Sequence, residues 1–328
     1  MMLATVPLAF LLNVMILALA IILDLTFGEP PEKFHPTVWM GRVIAFLGPH
    51  LRSKSPKKTR VGGVVLCLVC IILFAMPTAI LVVLAKRYLG TIGYVVVSAA
   101  ILKTTFAIKT WDSHITPVAH ALRSNRIKDA RELCQKTVRR DLSNADAEHI
   151  ISASVETIAE GIVDGYVSPI FYFAIFATPG AIAYRVINTL DSMVGYKDQT
   201  YVDLGRFSAK MDTVANYLPA RITGHTLIFV SALLSENWKR AREIFQRDRD
   251  TLESINAGWP ISAMAGALGI KLEKSGCYAV GETFENLTSD HINRAMAMMR
   301  VTYTVLTVVI ILPLMYGNQL VQRLMVTM

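Results

Sequence analysis

The chain has 328 residues, of which 53% are hydrophobic and 18% are charged, and its mean hydropathy is +0.44. A composition this apolar excludes an ordinary soluble domain and predicts an integral membrane protein. The net charge of +8 does not indicate a nucleic-acid partner, because membrane proteins collect Lys and Arg in their cytoplasmic loops and no basic run of this chain alternates with aromatic residues.

Apolar runs long enough to cross a bilayer, which takes roughly 20 residues, predict four membrane spans. These spans cover about residues 6–23, 61–85, 91–108 and 301–317. Two further apolar segments, 166–187 and 222–235, are short or interrupted by proline, and we expect them to be broken or re-entrant.

The polar segments between these runs are predicted to form amphipathic helices and to carry the functional residues. They cover residues 24–60, 109–165, 188–221 and 236–300. The basic run 52–60 and the Lys- and Arg-rich residues after the third span predict that these segments face the cytoplasm. The expected architecture is therefore all-α, a polytopic helical membrane protein with one domain over residues 1–328.

An acidic stripe precedes the first of the interrupted segments. Glu156, Glu160 and Asp164 are spaced four residues apart, so a helix would place them on one face. Ionisable groups beside an apolar segment usually face a cavity or a partner and are a functional-site hypothesis. The alternative is a solvated helix face just outside the membrane.

The loop after the first span, residues 24–44, is rich in proline and predicts a structured, irregular connection. Its polar side chains Asp24, Glu29 and His35 could line a site. The alternative for His35 is structural, because a histidine in a loop is more often structural or solvated than functional.

Four motifs in the order found here resemble a membrane family of cobalamin biosynthesis, the adenosylcobinamide-phosphate synthases or cobinamide synthases. They are VETIAEGIVDG (155–165), NTLDSMVGYKD (188–198), DTVANYLPARIT (212–223) and NAGWPISAMAGALG (256–269). The opening loop and the pair Arg140-Asp141 fit the same family, and the resemblance covers roughly residues 20–285. One departure is Gly161, where the family usually has asparagine.

The resemblance implies a ligase that joins a propionate carboxylate of adenosylcobyric acid to aminopropanol or its O-phosphate. The family is described as ATP-dependent, so ATP and Mg²⁺ are the implied cofactors, and the corrin cobalt enters with the substrate. The sequence has no G-x-x-x-x-G-K-[ST] phosphate loop, so ATP would be bound by another arrangement.

Carboxylates that could hold Mg²⁺ and act in catalysis are those of Glu156, Glu160 and Asp164. Asp191 is a candidate for a further metal ligand or for the partner of the amine, and Lys197 is a candidate phosphate or propionate clamp.

Further residues of the motifs are candidates for binding the substrates. Arg140 and Arg221 could clamp phosphate or propionate, the asparagines could bond to the corrin amides, and Trp259 could lie against the ring. The substrate-binding candidates are His35, Arg140, Asp141, Asn188, Asn216, Arg221, Asn256 and Trp259.

The expected partners are thus a corrinoid, a small amine or amine phosphate and the lipid bilayer of the cell membrane, and a homo-oligomer is compatible with the sequence. Two other functions stay open. One is a non-catalytic membrane regulatory protein related to β-lactamase induction. The other is a corrinoid transporter, because broken helices with charges at membrane depth are transporter features.

Overall fold

A computed structural model of the chain describes residues 8–138, 140–196, 198–274, 276 and 278–327. The described residues are mostly helical and include very little sheet, which confirms the all-α prediction. The helices, in chain order, are α1 (Leu8–Phe27), α2 (Pro36–His50), α3 (Pro56–Lys103), α4 (Lys109–Arg123), α5 (Ile127–Gln135), α6 (Ala147–Ile162), α7 (Ser168–Val194), α8 (Arg206–Ala215), α9 (Tyr217–Leu233), α10 (Trp238–Asp248), α11 (Gly258–Leu268), α12 (Ser289–Leu306) and α13 (Leu312–Thr327).

Three short helical turns and one small sheet complete the described structure. A 3₁₀ turn, Glu32–Phe34, precedes α2. π-Helical turns join α6 to α7 at Val163–Val167 and α12 to α13 at Thr307–Ile311. Strands β1 (Lys271–Lys274) and β2 (Tyr278–Gly281) pair antiparallel with Leu272 opposite Val280.

The chain divides into two compact units. Unit 1 comprises Met1–Ala107, Ser168–Ala215 and Val309–Met328, and unit 2 comprises Ile108–Val167 and Asn216–Val308. In unit 1 a core of apolar side chains from α2, α3 and α7 surrounds Met40, Leu66 and Val186. The expected single membrane domain over residues 1–328 stays a prediction.

Four helical stretches of the described chain are long and apolar enough to cross a membrane. They are Leu8–Phe27, Pro56–Lys103, Ala147–Val194 and Ser289–Met325. Two of the predicted spans, 61–85 and 91–108, fall largely within Pro56–Lys103, which is interrupted at Gly90 (φ 68°, ψ −162°). The stretch Ala147–Val194 includes the segment 166–187 that the sequence analysis expects to be broken.

Helix α7 is broken at Ala177, whose backbone is non-helical (φ 56°, ψ −160°). Pro179 lies two residues further on, and a proline inside a helix cannot donate to the preceding turn and clashes with it. The break deprives carbonyls of the preceding turn of helical partners, and the Asn318 side chain donates to Ala174 O at 3.2 Å and Ile175 O at 2.8 Å. The prediction of a broken segment is confirmed here.

The second segment, 222–235, which the sequence predicts to be broken or re-entrant, contains no break, and its re-entry stays a prediction. Residues 222–235 belong mostly to α9, a continuous 17-residue helix. Its proline, Pro219, lies in the first turn, where a missing N–H costs no hydrogen bond. At about 1.5 Å per residue, α9 is shorter than the roughly 30 Å hydrocarbon core.

Candidate functional site

The acidic stripe lies where α6 passes into a π-helical turn in unit 2. Glu156 is buried with 7% exposure, Glu160 is exposed, and Asp164 is half-buried within Val163–Val167. π-Helical turns inside α-helices are frequent at functional sites. The three acids therefore occupy different environments, although their spacing is uniform.

The Glu156 carboxylate is held by three donors. Oε1 accepts from Arg140 Nη2 at 3.2 Å and from Ser152 Oγ at 2.8 Å, and Oε2 accepts from the Tyr278 hydroxyl at 2.7 Å. Burial, followed by the charge and the hydrogen bond of Glu156, raises the pKa of Tyr278, which keeps the hydroxyl a donor. Both oxygens of the Glu156 carboxylate thus accept hydrogen bonds, and these bonds join Arg140, Ser152 and Tyr278 in one network.

The same network fastens the β-hairpin to α6. Ser152 Oγ accepts from the Glu273 amide at 2.9 Å, and Arg140 Nη1 donates to Glu273 O at 3.2 Å. Gly269 (φ 70°) ends α11 in the left-handed region and lets the chain turn towards β1. Arg140 therefore lies beside the acidic stripe because it binds both α6 and the hairpin.

The π-helical turn that carries Asp164 is packed against the second one. The Tyr166 hydroxyl is hydrogen-bonded to Thr307 Oγ1 at 2.7 Å, and the Tyr166 and Tyr303 rings stack with centroids 4.2 Å apart. Tyr166 is buried with 2% exposure. These contacts fix the turn, and they fix the position of Asp164 with it.

The indole of Trp111 lies against the glycines next to the acids. A Cβ at Gly161 would overlap Cζ2 and Cη2 of Trp111, whereas a Cβ at Gly165 would stand 3.7 Å from Nε1 at ordinary contact distance. The ring thus occupies the space that the asparagine usual in the resembling family would need at 161. Trp111 is therefore a neighbour of Gly161 and Gly165, within the motif that carries the acids.

Gly161→Ala should destabilise the protein by about 1–3 kcal/mol, because overpacking a filled site costs this much. Gly165→Ala is the matched control and should cost less, since its methyl group finds ordinary contacts. Denaturant unfolding of the purified chain in detergent measures both. Equal effects of the two substitutions would show that the indole does not occupy this place.

A second group of motif residues gathers in unit 2 around the beginnings of α9 and α11. Arg221 Nη1 donates to Tyr217 O at 2.8 Å and to Asn256 Oδ1 at 3.2 Å. The Arg221 guanidinium lies 4.6 Å from the Trp259 ring centroid. Asn216 and Asn256 are buried with 2% and 8% exposure. Three motif residues, Arg221, Asn256 and Trp259, are therefore in direct contact as a group.

Helix α9 also packs against the π-helical turn of the acidic stripe, and α11 packs against α6. The acids and the group around Arg221 are thus carried by elements of one compact unit that touch each other. Within unit 2, the sequence motifs at 155–165 and 256–269 converge.

Unit 1 holds another set of predicted residues. Arg185 Nη1 donates to Asn188 Oδ1 at 3.0 Å, and Asn188 Nδ2 donates to Asp212 Oδ1 at 3.4 Å. Arg185 Nε donates to Thr105 O at 2.9 Å. Asp191 lies half-buried in α7, three residues beyond Asn188. Asn188 is therefore oriented by an arginine on one side and an aspartate on the other.

The opening loop forms a charged cluster in unit 1. His35 Nδ1 accepts from the Thr37 amide at 3.2 Å, so Nε2 carries the proton that is donated to Glu29 at 2.7 Å. Lys103 Nζ lies 3.5 Å from Glu29 Oε2 and 3.9 Å from Asp24 Oδ1. The expected gathering of Asp24, Glu29 and His35 is observed, with Lys103 added, and His35 also caps α2.

Glu29 predicts a pH dependence of stability. Burial opposes its ionisation, but the hydrogen bond from His35 and the charge of Lys103 outweigh this, so the pKa of Glu29 lies below its ordinary value. A lowered folded pKa stabilises the protein above the ordinary pKa of about 4.3, and this contribution is lost as the pH falls through the folded value.

Acidification from about pH 6 to about pH 3 should therefore lower the unfolding temperature of the wild-type chain more than that of Glu29→Gln. Glu32→Gln, which removes an exposed carboxyl of the same loop, should keep the wild-type response. Identical pH responses in wild type and Glu29→Gln would contradict the assignment.

Two predicted site residues remain. Asp141 is exposed and accepts from the Ser143 amide at 2.9 Å and from the Ser143 hydroxyl, and these bonds lower the pKa of Asp141. This is a local turn of the kind that aspartate commonly forms. Lys197 lies outside the residues that the structure describes, and its role stays a prediction.

Six side chains that contact the predicted residues were missed by the sequence analysis. Four of them reach their partners from distant parts of the chain, where no local spacing could have found them. The other two, Ser152 and Arg185, lie one helical turn before Glu156 and Asn188, at a spacing that could have indicated them. Lys103 carried a signal, a lone charge at the end of an apolar run. The missed residues are Lys103, Trp111, Ser152, Arg185, Asp212 and Tyr278.

Comparisons with known proteins agree over most of the chain. A family model described as "CobD/Cbib protein" matches residues 17–305. The chain is 40% identical over 304 residues to a probable cobalamin biosynthesis protein CobD of Thermoplasma acidophilum, covering 92% of this chain and 97% of that protein.

Two further relatives have similar coverage. A probable cobalamin biosynthesis protein CobD of Methanothermobacter thermautotrophicus is 35% identical over 90% of this chain and 96% of its own length. The cobalamin biosynthesis protein CobD of Dehalococcoides mccartyi is 35% identical over 87% of this chain and 92% of its own length. No solved structure matches significantly. With a family match this long and relatives this similar, the chain belongs to the CobD/Cbib protein family.

Proposed function

We propose that this protein is a membrane-bound ligase of cobalamin biosynthesis. It joins a propionate carboxylate of adenosylcobyric acid to the amine of aminopropanol or of its O-phosphate, with consumption of ATP. The observation that carries the proposal is the match of residues 17–305 to the CobD/Cbib family, whose relatives are named for cobalamin biosynthesis.

The reaction needs two steps, because a carboxylate does not react with an amine at neutral pH. Transfer of the γ-phosphoryl group from ATP to a propionate oxygen gives an acyl phosphate and ADP. Attack of the amine on the acyl carbon then forms the amide and releases phosphate, and the amine proton passes to a base. Both steps place negative charge on the phosphoryl group. A cation must therefore lie beside this group, and carboxylates must lie near enough to hold a cation such as Mg²⁺.

The acidic stripe could hold Mg²⁺ with three protein ligands, or with two carboxylates completed by water and phosphate oxygens. Among the described residues, no three His, Cys, Asp or Glu side chains lie close enough to hold a metal by themselves. Mg²⁺ in phosphoryl-transfer sites usually takes one or two carboxylates and completes its shell with water and phosphate oxygens, whose developing charge it neutralises. Glu160, which is exposed, and Asp164, which is half-buried four residues further on, would supply that pair.

Further predicted residues of each unit have supporting roles in this proposal. Arg140, beside the acidic stripe, supplies positive charge near the transferred phosphoryl group. Asn188, held between Arg185 and Asp212, presents an oriented amide to the corrin side chains. Asp191 is the candidate base or amine partner, and Lys197 is a further clamp.

We place the protein in the cell membrane with the site facing the cytoplasm, where ATP is present. Four apolar helical stretches support the membrane location. The basic residues between the second apolar stretch and α6 support the orientation, since such residues remain on the cytoplasmic side.

Purified protein in detergent, incubated with adenosylcobyric acid, Mg-ATP and either aminopropanol or its O-phosphate, tests the proposal. We expect the corrinoid acid to disappear, an amide to form, and ADP and phosphate to accumulate in equal amounts. The preferred amine follows from the two parallel reactions.

A regulator or a transporter would leave the corrinoid acid unchanged with either amine. Uptake of unmodified corrinoid into vesicles that contain the protein would identify the transporter. Either outcome would refute the ligase proposal.

A further inference from the structure

Two arginines of unit 2 lie against one indole ring. The guanidinium carbons of Arg221 and Arg249 stand 4.6 and 4.9 Å from the Trp259 centroid. Arg221 also lies 3.3 Å from the centroid of Tyr217. Cation–π contacts stabilise each arginine, but two like charges at one ring repel each other. We call Tyr217, Arg221, Arg249, Asn256 and Trp259 the arginine cluster.

Two helices begin at the arginine cluster. α9 begins at Tyr217 and α11 begins at Gly258, and Arg221 Nη1 reaches the first residue of one helix and Asn256, just before the other. Helix N-termini carry a partial positive charge, which acidic side chains often balance. Neither helix has an acidic residue in its first turn.

The positive charge of the cluster is poorly neutralised by the protein. Within the described chain, Arg221 pairs with neutral oxygens and has no carboxylate partner. The acid beside Arg249 is Asp250, which is 76% exposed and 3.4 Å away, and such a pair contributes little. The Trp259 Nε1–H is buried and has no hydrogen-bond partner among the described residues.

An anion would resolve all three features. Phosphate is the best match, because guanidinium groups bind its oxygens bidentately and helix N-termini favour it. Arg249 keeps 32% exposure of its side chain, so a ligand can reach it from solvent. A purely structural aromatic–arginine stack accounts for the ring contacts but leaves the indole N–H and the surplus charge unexplained.

We infer that the arginine cluster binds the phosphate of a substrate, with Arg249 and Trp259 as binding residues besides Arg221. This inference rests on the proposed function for its two sources of phosphate, the triphosphate of ATP and the ester of aminopropanol O-phosphate. Both sources present phosphate oxygens to the arginine cluster, and measuring the binding of each ligand separately distinguishes them. The site would give the chain a phosphate grip that does not require a phosphate loop.

Isothermal titration of the full-length chain in detergent with ATP, with aminopropanol O-phosphate and with pyrophosphate tests the inference without turnover. Arg249→Gln and Arg221→Gln should each weaken binding of one of the two substrates by about 10- to 100-fold, as expected for a lost charged hydrogen bond. Trp259→Phe keeps an aromatic face for the arginines but removes the N–H together with the pyrrole ring, and should weaken the same ligand by about 3- to 10-fold. The ligand whose binding is weakened is the one whose phosphate the arginine cluster binds.

Arg242→Gln is the matched control, because it removes an exposed arginine from α10, the helix that precedes Arg249. It should leave every affinity unchanged. The inference is overturned if the wild-type chain binds none of the three anions, or if Arg249→Gln binds them all as Arg242→Gln does. Anion binding that follows the inference in a chain that forms no amide would refute the proposed function alone.

Discussion

Glu160→Gln should lower kcat/KM for amide formation by about 10²- to 10³-fold, the loss expected when one preorganised charge is removed from a transition state. Glu160 is exposed and one turn beyond the coordinated Glu156, so its carboxylate can meet a phosphate-bound cation. Asp164→Asn should have an effect of the same order, because the same cation would take both carboxylates. Initial rates with saturating amine and varied Mg-ATP measure these effects.

The control for this experiment is Glu148→Gln, which removes an exposed carboxyl from the first turn of the same helix. It should change the rate by less than about twofold, because a dipole contact at a helix end is weak. If Glu160→Gln turned over as fast as Glu148→Gln, the acidic stripe would have no part in the chemistry. Unchanged unfolding of all three variants would show that the loss is catalytic.

Arg140→Met should destabilise the protein by about 3 kcal/mol, since breaking a buried ion pair leaves an uncompensated charge. The Arg140 side chain is 19% exposed and that of its partner Glu156 is 9% exposed. This ion pair belongs to a network in which Arg140 also donates to the backbone of the β-hairpin. The loss stays at the lower end of the usual range because Ser152 and Tyr278 still donate to Glu156. Denaturant unfolding in detergent measures the change.

Arg126→Met is the matched control, because Arg126 pairs with Asp129 on the surface at 55% and 49% exposure. It should cost less than about 1 kcal/mol. The double variant Arg140→Met with Glu156→Met should recover part of the stability, since an apolar pair removes the stranded charge. A cost of Arg140→Met no larger than that of Arg126→Met would contradict the role of the ion pair.

The features that the sequence predicted are those that local spacing determines. Apolar runs fixed where helices could cross lipid, and Pro179 marked the break two residues after Ala177. The interval of four brought Glu156 and Glu160 onto one helix. Proline did not always break a helix, since Pro219 lies in the first turn of α9, where no hydrogen bond is lost.

The parts that the sequence did not predict depend on contacts between distant residues. Glu156 receives its hydrogen bond from Tyr278, which lies 122 residues away, and this contact distinguishes Glu156 from Glu160 at equal spacing. Only the approach of α4 accounts for Gly161, because the Trp111 ring occupies the position of a side chain. The hairpin was missed because strands of four residues are too short for periodicity to identify.

The side chain that covers the break in α7 has a consequence for how the protein is made. The carbonyl of Ala174 accepts a hydrogen bond from Asn318, which lies 144 residues later in the chain and is therefore synthesised later. At about 5–20 residues per second, a ribosome needs roughly 7–30 s to reach that asparagine. A bare carbonyl in lipid is costly. The nascent segment around Ala177 must therefore remain in water, or be covered by the insertion machinery, until α13 has been synthesised.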